Sequence, residues 1–462
     1  MNPPLDTAIA VDVYRQRRER VLAALRATGG GVAIVPTAPE VLRNRDTGYP
    51  YRHDSYFYYL TGFTEPDAVL VLNAAAPHGA APESILFCRA KNADREIWEG
   101  FHYGPEAARD TFGFDAAYAT DVLDTEIPRL LADAGTVHYR FGASAEFDRQ
   151  LARWLDAVRA QARSGVAAPD AMRDLTPLLD DMRLIKDEHE LAIMTRAAHI
   201  SALAHRRAMQ ACKPGIREYE LEAELLYTFR LHGAQAPAYG SIVAAGANAC
   251  VLHYPAGNAV ARDGDLILID AACELDGYAS DITRTFPANG RFSPAQRTLY
   301  DIVLAAQQAA IDATRAGVPF EAPHDAAVRV LAQGLLDTGI IAKTRFSNVD
   351  DVIAERAYTR FYMHRTGHWL GMDVHDCGDY RERHAERDAN GALPWRTLKP
   401  GMALTVEPGL YVRAADDVPS EYWNIGIRTE DDAIVREHGC ELITRDVPVA
   451  AADIEALMRA RA

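Results

Sequence analysis

The most informative stretch of this chain reads Leu266-Ile-Leu-Ile-Asp270-Ala-Ala-Cys-Glu-Leu-Asp276-Gly277-Tyr-Ala-Ser-Asp281-Ile-Thr-Arg-Thr-Phe286. It predicts an antiparallel hairpin, because two strand-like runs flank residues 274–277, where Asp and Gly favour a tight turn. A turn centred on these four residues places Asp270 opposite Asp281, with their Cβ atoms about 4.5–5.5 Å apart. Two carboxylates so placed repel each other, and two metal ions held between them would resolve this conflict. The alternative is a different register that turns one aspartate towards solvent.

A second segment, 364–375, holds the histidines His364, His368 and His375 among glycine and apolar residues. The first two have the spacing of the zinc-protease motif His-Glu-x-x-His. Arg365 stands where that motif needs its glutamate, so we reject that interpretation. Three histidines in one apolar segment favour a metal-binding or catalytic role over three separate local hydrogen bonds.

A third segment is the apolar run 401–406, which ends in Glu407. The run predicts a buried strand, and Pro408 favours an extended backbone for the glutamate before it. A buried glutamate needs a partner, because an isolated buried charge is costly. Glu407 is therefore a candidate for binding a cation.

A fourth segment, 425–432, contributes the last carboxylate. Strand alternation puts Arg428 and Glu430 on one face, whereas Asp431 and Asp432 are predicted to begin the following turn. The four segments together offer four carboxylates and one or more histidines. This oxygen-rich set favours manganese, magnesium or cobalt over a structural zinc ion. A water that bridges two such ions becomes a nucleophile near neutral pH, which indicates hydrolysis.

Composition narrows the class of protein. The 462 residues include 49 Lys and Arg against 65 Asp and Glu, a formal charge of −16, with 48% hydrophobic residues. The acidic balance argues against a nucleic-acid partner, and the apolar content excludes a disordered chain. Six scattered cysteines without a Cys-x-x-Cys pair indicate reduced thiols. No apolar run reaches the roughly 18 residues of a membrane helix, and residues 1–10 lack the pattern of a signal peptide. We therefore expect a cytoplasmic protein without a membrane partner.

The pattern of the chain changes at 161–177, where Ser, Gly and Pro fall close together. Before this stretch, helix-like and strand-like segments alternate, among them a predicted helix at 11–25 and a predicted strand at 56–63. After it, long helical patterns are followed by a strand-rich last third. We predict an α/β N-terminal domain over 1–176 and an α+β C-terminal domain over 177–462.

These motifs carry a family resemblance. Five residues, in this order and with these surroundings, resemble the dinuclear metal site of the pita-bread metallopeptidases: Asp270, Asp281, His368, Glu407 and Glu430. The N-terminal segments 43–46, 49–52 and 58–63 are similar to those of the aminopeptidase P branch, as is Met363-His364 followed by His368-Trp369. The resemblance covers nearly the whole chain. It implies an N-terminal domain of the creatinase and prolidase type, followed by a pita-bread catalytic domain.

The resemblance also implies an activity. Members of this branch hydrolyse the N-terminal Xaa-Pro bond of peptides through a hydroxide that bridges two divalent metal ions. We expect Mn²⁺, with Co²⁺, Mg²⁺ or Zn²⁺ as alternatives, peptide substrates with proline at position two, and a homo-oligomer, either a dimer or a tetramer. The alternatives are an Xaa-Pro dipeptidase (prolidase), a non-catalytic pita-bread binding protein and, least favoured, metal-free hydrolysis of the creatinase kind.

Residue roles follow from the same resemblance. Glu407 is both a metal ligand and the proton shuttle, and His253 and His375 stabilise the tetrahedral intermediate. The other predicted catalytic and substrate-binding residues are His364, Tyr411, Arg428, Asp46 and Trp98. Of these, Asp46 is expected to reach Arg428 from a neighbouring subunit. Trp98 either forms an aromatic wall of the substrate site or is a plain surface tryptophan.

The chain departs from the family pattern at two places. Arg365 occupies a position where the family usually has glycine, next to His364. The stretch 379–394 is longer than in compact relatives, so that Arg381 and Arg383 are both candidates for the family's substrate-side arginine. Neither departure involves a predicted metal ligand.

Overall fold

The computed structural model describes residues 9–75, 79 and 81–460. The chain divides into two compact units, the first ending at Arg183 and the second beginning at Leu184. Within the described ranges, no helix combines the length and the apolar character that crossing a membrane requires. Residues 1–8 lie outside the described part. They make up most of the segment 1–10, for which the sequence predicts no signal peptide.

The N-terminal unit is built around one mixed sheet. Its strands are β1 (Val32–Pro36), β2 (Val69–Asn73), β3 (Ser84–Cys88), β4 (Ala116–Ala119), β5 (Thr136–Tyr139) and β6 (Ala171–Asp174). Its helices are α1 (Val11–Ala27), α2 (Ser55–Thr61), α3 (Ala93–Glu99), α4 (Gly104–Phe112), α5 (Leu123–Leu131), α6 (Ala145–Arg159) and α7 (Thr176–Leu184). The strands lie in the order β4-β3-β2-β1-β5-β6. Apolar side chains of the sheet form one core with those of α5 and α6, among them the buried Trp154.

The predicted strand at 56–63 is wrong, because most of it forms helix α2. Asp54 caps this helix by accepting a hydrogen bond from the backbone N–H of Phe57 at 3.0 Å. Gly62 ends it with a φ of 66°, a conformation that favours glycine. These local caps outweigh the strand propensity of the aromatic residues between them.

The C-terminal unit combines long helices with short sheets. Its helices are α8 (Glu188–Ala211), α9 (Glu218–Leu231), α10 (Pro294–Ala313), α11 (Ala322–Asp337), α12 (Val349–Ala354) and α13 (Ala451–Arg459). Its strands are β7 (Ala236–Pro237), β8 (Ile242–Ala245), β9 (Leu266–Asp270), β10 (Cys273–Leu275), β11 (Tyr278–Ala279), β12 (Thr283–Pro287), β13 (Ala403–Val406), β14 (Gly409–Val412), β15 (Ile425–Arg428), β16 (Asp431–Arg436) and β17 (Gly439–Leu442). The strand orders are β12-β9-β8, β11-β10-β7, β13-β16-β17 and β14-β15.

The central hairpin forms, but in a register two residues away from the predicted one. Asp270 pairs with Thr283 rather than with Asp281. Asp276 and Gly277 have φ values of 48° and 79°, so they are the two central residues of the turn instead of its last two. Asp281 nevertheless approaches Asp270, because the ladder is interrupted just ahead of Thr283.

The prediction that Asp431 and Asp432 begin a turn is also wrong, since both open strand β16 and pair with β13. Asp431 is fully buried and lies 2.7 Å from Arg284, which is buried as well. Asp432 accepts a hydrogen bond from the backbone N–H of Asp281 at 3.1 Å. These partners offset the cost of burying two carboxylates, which is the cost that made a turn the simpler prediction.

Candidate active site

Four carboxylates and one imidazole meet at the ends of buried strands. Asp270 ends β9, Glu407 follows β13 and Glu430 follows β15, while Asp281 precedes β12. His368 lies in the loop before β13, and its backbone N–H donates to the hydroxyl of Thr405. All five predicted ligands line one cavity of about 980 Å³.

The distances between these side chains suit a bound cation. Asp281, His368 and Glu430 each offer one ligand atom, and these atoms lie within 4.8 Å of one another. Nε2 of His368 is 3.5 Å from Asp281 and 3.8 Å from Glu407. The other ring nitrogen, Nδ1, donates to the backbone carbonyl of Trp369 at 2.9 Å. This bond fixes the orientation of the ring and directs Nε2 towards the carboxylates, so that a metal ion can replace the proton on Nε2.

Crowding of the buried acids changes their protonation. Burial raises the pKa of Glu407 to about 7, and repulsion by Asp281 adds to this effect. Burial followed by repulsion from neighbouring carboxylates raises the pKa of Glu430 well above its ordinary value, and burial raises that of Asp281. Burial alone would lower the pKa of His368, but its bond to Asp281 and the nearby carboxylates raise it to about 9.

The residues present therefore fit divalent metal ions. Four carboxylates, two buried and two part-buried, carry more negative charge than the adjacent Arg428 can balance, so the folded chain holds protons there that a metal ion would replace. The donors are carboxylate oxygens and one imidazole nitrogen, a set that suits Mn²⁺, Mg²⁺ or Co²⁺ and also accommodates Zn²⁺.

A chain of hydrogen bonds runs along one side of the site. The guanidinium of Arg428 donates to Asp270 at 2.6 Å and to the hydroxyl of Tyr411 at 2.9 Å. The Tyr411 hydroxyl lies 2.8 Å from Nε2 of His364, whose Nδ1 donates to the carbonyl of Arg365 at 2.7 Å. Burial lowers the pKa of His364 to about 3, so its neutral ring accepts a hydrogen bond from the Tyr411 hydroxyl.

Two further predicted histidines line the same cavity. The His375 ring lies 4.1 Å from the His368 ring between centroids. Burial, together with repulsion from His368 and His253, lowers the pKa of His375. His253 is exposed, lies in the loop that follows β8 and also lines the cavity. Both are placed to donate a hydrogen bond to a group bound in the cavity.

Comparison with known proteins identifies the family. The model of metallopeptidase family M24 matches residues 192–437, and the model of the aminopeptidase P N-terminal domain matches residues 14–138. The chain belongs to metallopeptidase family M24.

The chain is 42% identical over 446 residues to the Xaa-Pro aminopeptidase of Escherichia coli (strain K12), covering 96% of this chain and 97% of that relative. Among solved structures it resembles aminopeptidase PepP of Pseudomonas aeruginosa, with 47% identity, a TM-score of 0.93 and coverage of 98% of this chain and 99% of the other. It is also similar to a zinc-substituted aminopeptidase P of E. coli in complex with product, with 40% identity, a TM-score of 0.91 and the same coverage.

These matches confirm the predicted fold of this M24 member. Its N-terminal domain is that of aminopeptidase P, and its C-terminal domain is the pita-bread catalytic domain. The prediction of a metallopeptidase is confirmed as well. The predicted boundary between residues 176 and 177 stays a prediction.

Two predicted residues lie in the N-terminal unit of the M24 chain. Asp46 is exposed in the loop between β1 and α2, and Trp98 is 88% exposed on α3. Their roles stay predictions. Of the candidates for a substrate-side arginine, neither Arg381 nor Arg383 is among the described residues that line the cavity. Arg383 pairs with Asp379 at 2.7 Å.

Sequence reasoning missed Tyr239, which lies between β7 and β8 and lines the cavity. Its hydroxyl is 2.6 Å from Asp270 and 2.5 Å from Asp281. Burial and the charges of these two aspartates raise its pKa well above the ordinary value, so it keeps its proton and shares it between them. Nothing in its local sequence separates Tyr239 from the other tyrosines, of which the chain has 20 in all.

Proposed function

We propose that this M24 metallopeptidase is an Xaa-Pro aminopeptidase that releases the first residue of peptides with proline at position two. The observation that carries the proposal is the convergence of four carboxylates, two buried and two part-buried, and His368 in one cavity. The relatives named Xaa-Pro aminopeptidase support the specificity, because they match the chain through both of its domains. We retain 1–176 and 177–462 as the proposed extents of these domains.

The proposed cofactor is a pair of divalent ions, Mn²⁺ first, with Co²⁺, Mg²⁺ or Zn²⁺ as alternatives. The residues that would hold them are Asp270, Asp281, His368, Glu407 and Glu430. Such ions, when bound, polarise the scissile carbonyl and make hydroxide available near neutral pH. A set of four carboxylates also matches the charge of two divalent ions, which is the reason for proposing two rather than one.

The chain's own groups would move the protons. Glu407 faces the cavity beside His368 and is the proposed carrier of a proton from the attacking water to the leaving nitrogen. His253 and His375 would donate to the oxygen that becomes negative during attack. His364, Tyr411 and Arg428 form the hydrogen-bonded side of the site and would orient the substrate.

The acidic floor of the cavity also suits the substrate's first residue, because its ammonium group is attracted to carboxylates. Proline's nitrogen carries no hydrogen, so a groove for this substrate needs no acceptor at that atom. Asp46 and Trp98 remain proposed contacts on the substrate side. The proposal keeps a cytoplasmic homo-oligomer, a dimer or a tetramer, as the form of the enzyme.

The proposal is tested with a panel of peptides and the purified chain, with Mn²⁺ present or removed by a chelator. We expect cleavage of Ala-Pro-Ala, little cleavage of Ala-Ala-Ala, and loss of activity when the metal is removed. Asp270→Ala and Glu407→Ala should each lower kcat/KM by at least about a thousandfold, because each removes a group needed in the transition state.

Other outcomes point elsewhere. Efficient cleavage of the dipeptide Ala-Pro with little cleavage of Ala-Pro-Ala would indicate a prolidase. A chain that binds no metal and cleaves none of these peptides with added Mn²⁺ would indicate a non-catalytic binding protein. Full turnover by either alanine variant would contradict the assignment of the site.

A further inference from the structure

The cavity has a second charged region, formed by Arg365, Arg381 and Trp395, which we call the Trp395 wall. The guanidinium carbon of Arg381 lies 3.3 Å from the centre of the Trp395 ring, and that of Arg365 lies 4.7 Å from it. Arg365 and Trp395 both line the cavity. Each guanidinium is attracted to the face of the indole ring, so the Trp395 ring stabilises two neighbouring cations that would otherwise repel each other.

The Trp395 wall is held in place by the loop that carries it. Arg381 and Trp395 form an antiparallel bridge, and the Arg381 side chain donates to the carbonyl of Leu393 at 2.7 Å. The ring of Phe320, which also lines the cavity, lies 6.2 Å from the Trp395 ring. Arg365 forms an ion pair with Glu321, yet 47% of its side chain is exposed. The guanidinium of Arg365 is thus both positioned and accessible.

The charges that line the cavity are divided unequally. The described acidic residues of the lining are Glu222, Asp270, Asp281, Glu407 and Glu430, and the arginines are Arg365 and Arg428. Arg428 is 4% exposed, and its donors bond to Thr283, Tyr411 and Asp270. Arg365 is therefore the arginine of this lining with donors open to a ligand. Together with Arg381 and against Glu321, the wall carries one net positive charge.

A peptide substrate has the opposite charges at its two ends. Its ammonium belongs to the first residue and is attracted to the carboxylates, whereas a carboxylate belongs to the part that leaves with proline. A cation repels the first end and attracts the second. The planar guanidinium, stacked on an aromatic ring, is also the group best suited to bind a carboxylate through two parallel hydrogen bonds.

We propose that Arg365, supported by Trp395, binds a carboxylate of the leaving peptide and makes this enzyme prefer substrates that carry one close behind proline. This inference rests on the proposed Xaa-Pro aminopeptidase function. The carboxylate has two sources, the C-terminus of a short peptide and an acidic side chain directly after proline. Arg365 acts as a specificity-determining residue, since it discriminates between substrates that share the same scissile bond.

Two substrate pairs measure the preference. Ala-Pro-Ala is compared with its C-terminal amide, and Ala-Pro-Glu-amide is compared with Ala-Pro-Gln-amide. We expect kcat/KM to be about three- to tenfold higher for the charged member of at least one pair, a size typical of a partly exposed charged contact. The first pair reports the C-terminus as the source and the second pair reports the side chain.

Variants of the wall then assign the preference to Arg365. In Arg365→Gln the ratio within the pair should fall to about one, and in Arg365→Lys it should fall only in part, because lysine keeps the charge without the planar group. In Glu321→Gln the ratio should rise, because the competing carboxylate is gone. Arg387→Gln is the matched control, since Arg387 lies on the same loop, is not among the described residues that line the cavity, and donates to the carbonyl of Gly391 at 2.7 Å; its ratio should equal that of the wild type. Equal melting temperatures would show that the variants are folded.

The outcomes separate this inference from the proposed function. Equal kcat/KM for both members of both pairs overturns the role of Arg365 but leaves Xaa-Pro cleavage intact. An unchanged ratio in Arg365→Gln does the same. Failure to cleave any of the four peptides overturns both proposals together.

Discussion

At the scale of single residues, Tyr239 explains how two aspartates coexist before a metal ion is bound. Its hydroxyl lies within hydrogen-bonding distance of both Asp270 and Asp281. The remaining oxygens of the pair face Arg428 and His368. Each aspartate is therefore oriented from two directions, and the tyrosine fixes the oxygen that faces the partner aspartate.

We predict that Tyr239→Phe weakens metal binding by about ten- to hundredfold, the usual effect of losing a group that orients metal ligands. Calorimetric titration of the metal-free protein with Mn²⁺ measures this. Tyr300→Phe is the control, because the Tyr300 hydroxyl is part-buried and donates to the Val449 carbonyl rather than to a predicted ligand. An affinity for Tyr239→Phe equal to that of Tyr300→Phe would contradict the orienting role.

Protonation of the ligands leads to a second prediction at this scale. In the metal-free chain the pKa of Glu407 is raised to about 7 and that of His368 to about 9, above their ordinary values of 4.5 and 6.5. Between the ordinary and the raised pKa of each group, the folded state binds more protons than the unfolded state. Through these two groups the free energy of unfolding therefore falls as the pH rises. Below pH 6.5 the lowered pKa of His364, about 3, opposes this effect, so we expect the chelated protein to lose stability to urea from about pH 6.5 to about pH 9.

The metal-loaded protein is the control for this pH series. Bound divalent ions replace the protons, so its stability should vary much less over the same range. A chelated protein that becomes more stable from pH 6.5 to pH 9 would contradict the sign of these shifts.

At the scale of elements, helix α9 holds the loop that carries His253. Glu218, the first residue of this helix, is 1% exposed. Its carboxylate accepts hydrogen bonds from the backbone N–H of Ala245 at 2.8 Å, the side chain of Asn248 at 2.9 Å and the hydroxyl of Tyr254 at 3.0 Å. One buried acid thus links the end of β8 at Ala245 to Asn248 and Tyr254, which lie on either side of His253 in the loop.

We predict that Glu218→Gln lowers kcat/KM by about tenfold and destabilises the fold by about 2 kcal/mol, because an amide nitrogen replaces one acceptor among several donors. The loop carrying His253 should then exchange its amide hydrogens faster. Glu224→Gln, on the same helix and paired with Arg207 at the surface, is the control. Normal kcat/KM together with faster exchange would show that the loop's order does not matter for catalysis.

The same scale shows what local sequence could and could not predict. The order and surroundings of the carboxylates predicted a cluster, and the structure brings Asp270, Asp281 and Glu430 to one cavity. The hairpin register could not be obtained, because Asp276-Gly277 fits either the centre or the end of a tight turn and only the first fits a two-residue loop. Helix α2 was missed because its cap residues weigh more than its aromatic composition.

At the scale of the whole molecule, what escapes prediction is contact between residues far apart in the chain. Tyr239 reaches Asp270 and Asp281 across intervals of 31 and 42 residues. Arg284 reaches Asp431 across 147 residues and supports the strand that follows Glu430. No local pattern announces such pairs, because both partners are ordinary polar residues until the sheets assemble. The family resemblance therefore predicted the folds of both units better than any single periodicity did.

The hydrogen-bond chain from Asp270 through Arg428, Tyr411 and His364 to the carbonyl of Arg365 joins the carboxylate cluster to the residue of the Trp395 wall. The two ends of the cavity are thus connected by hydrogen bonds that each have one donor and one acceptor. Thermodynamic reciprocity then applies to them: if metal binding at Asp270 tightens the hold on a leaving peptide at Arg365, that peptide must tighten the hold on the metal by the same factor. The product peptide would then help to retain the metal ion, and release of the product would weaken the binding of the metal.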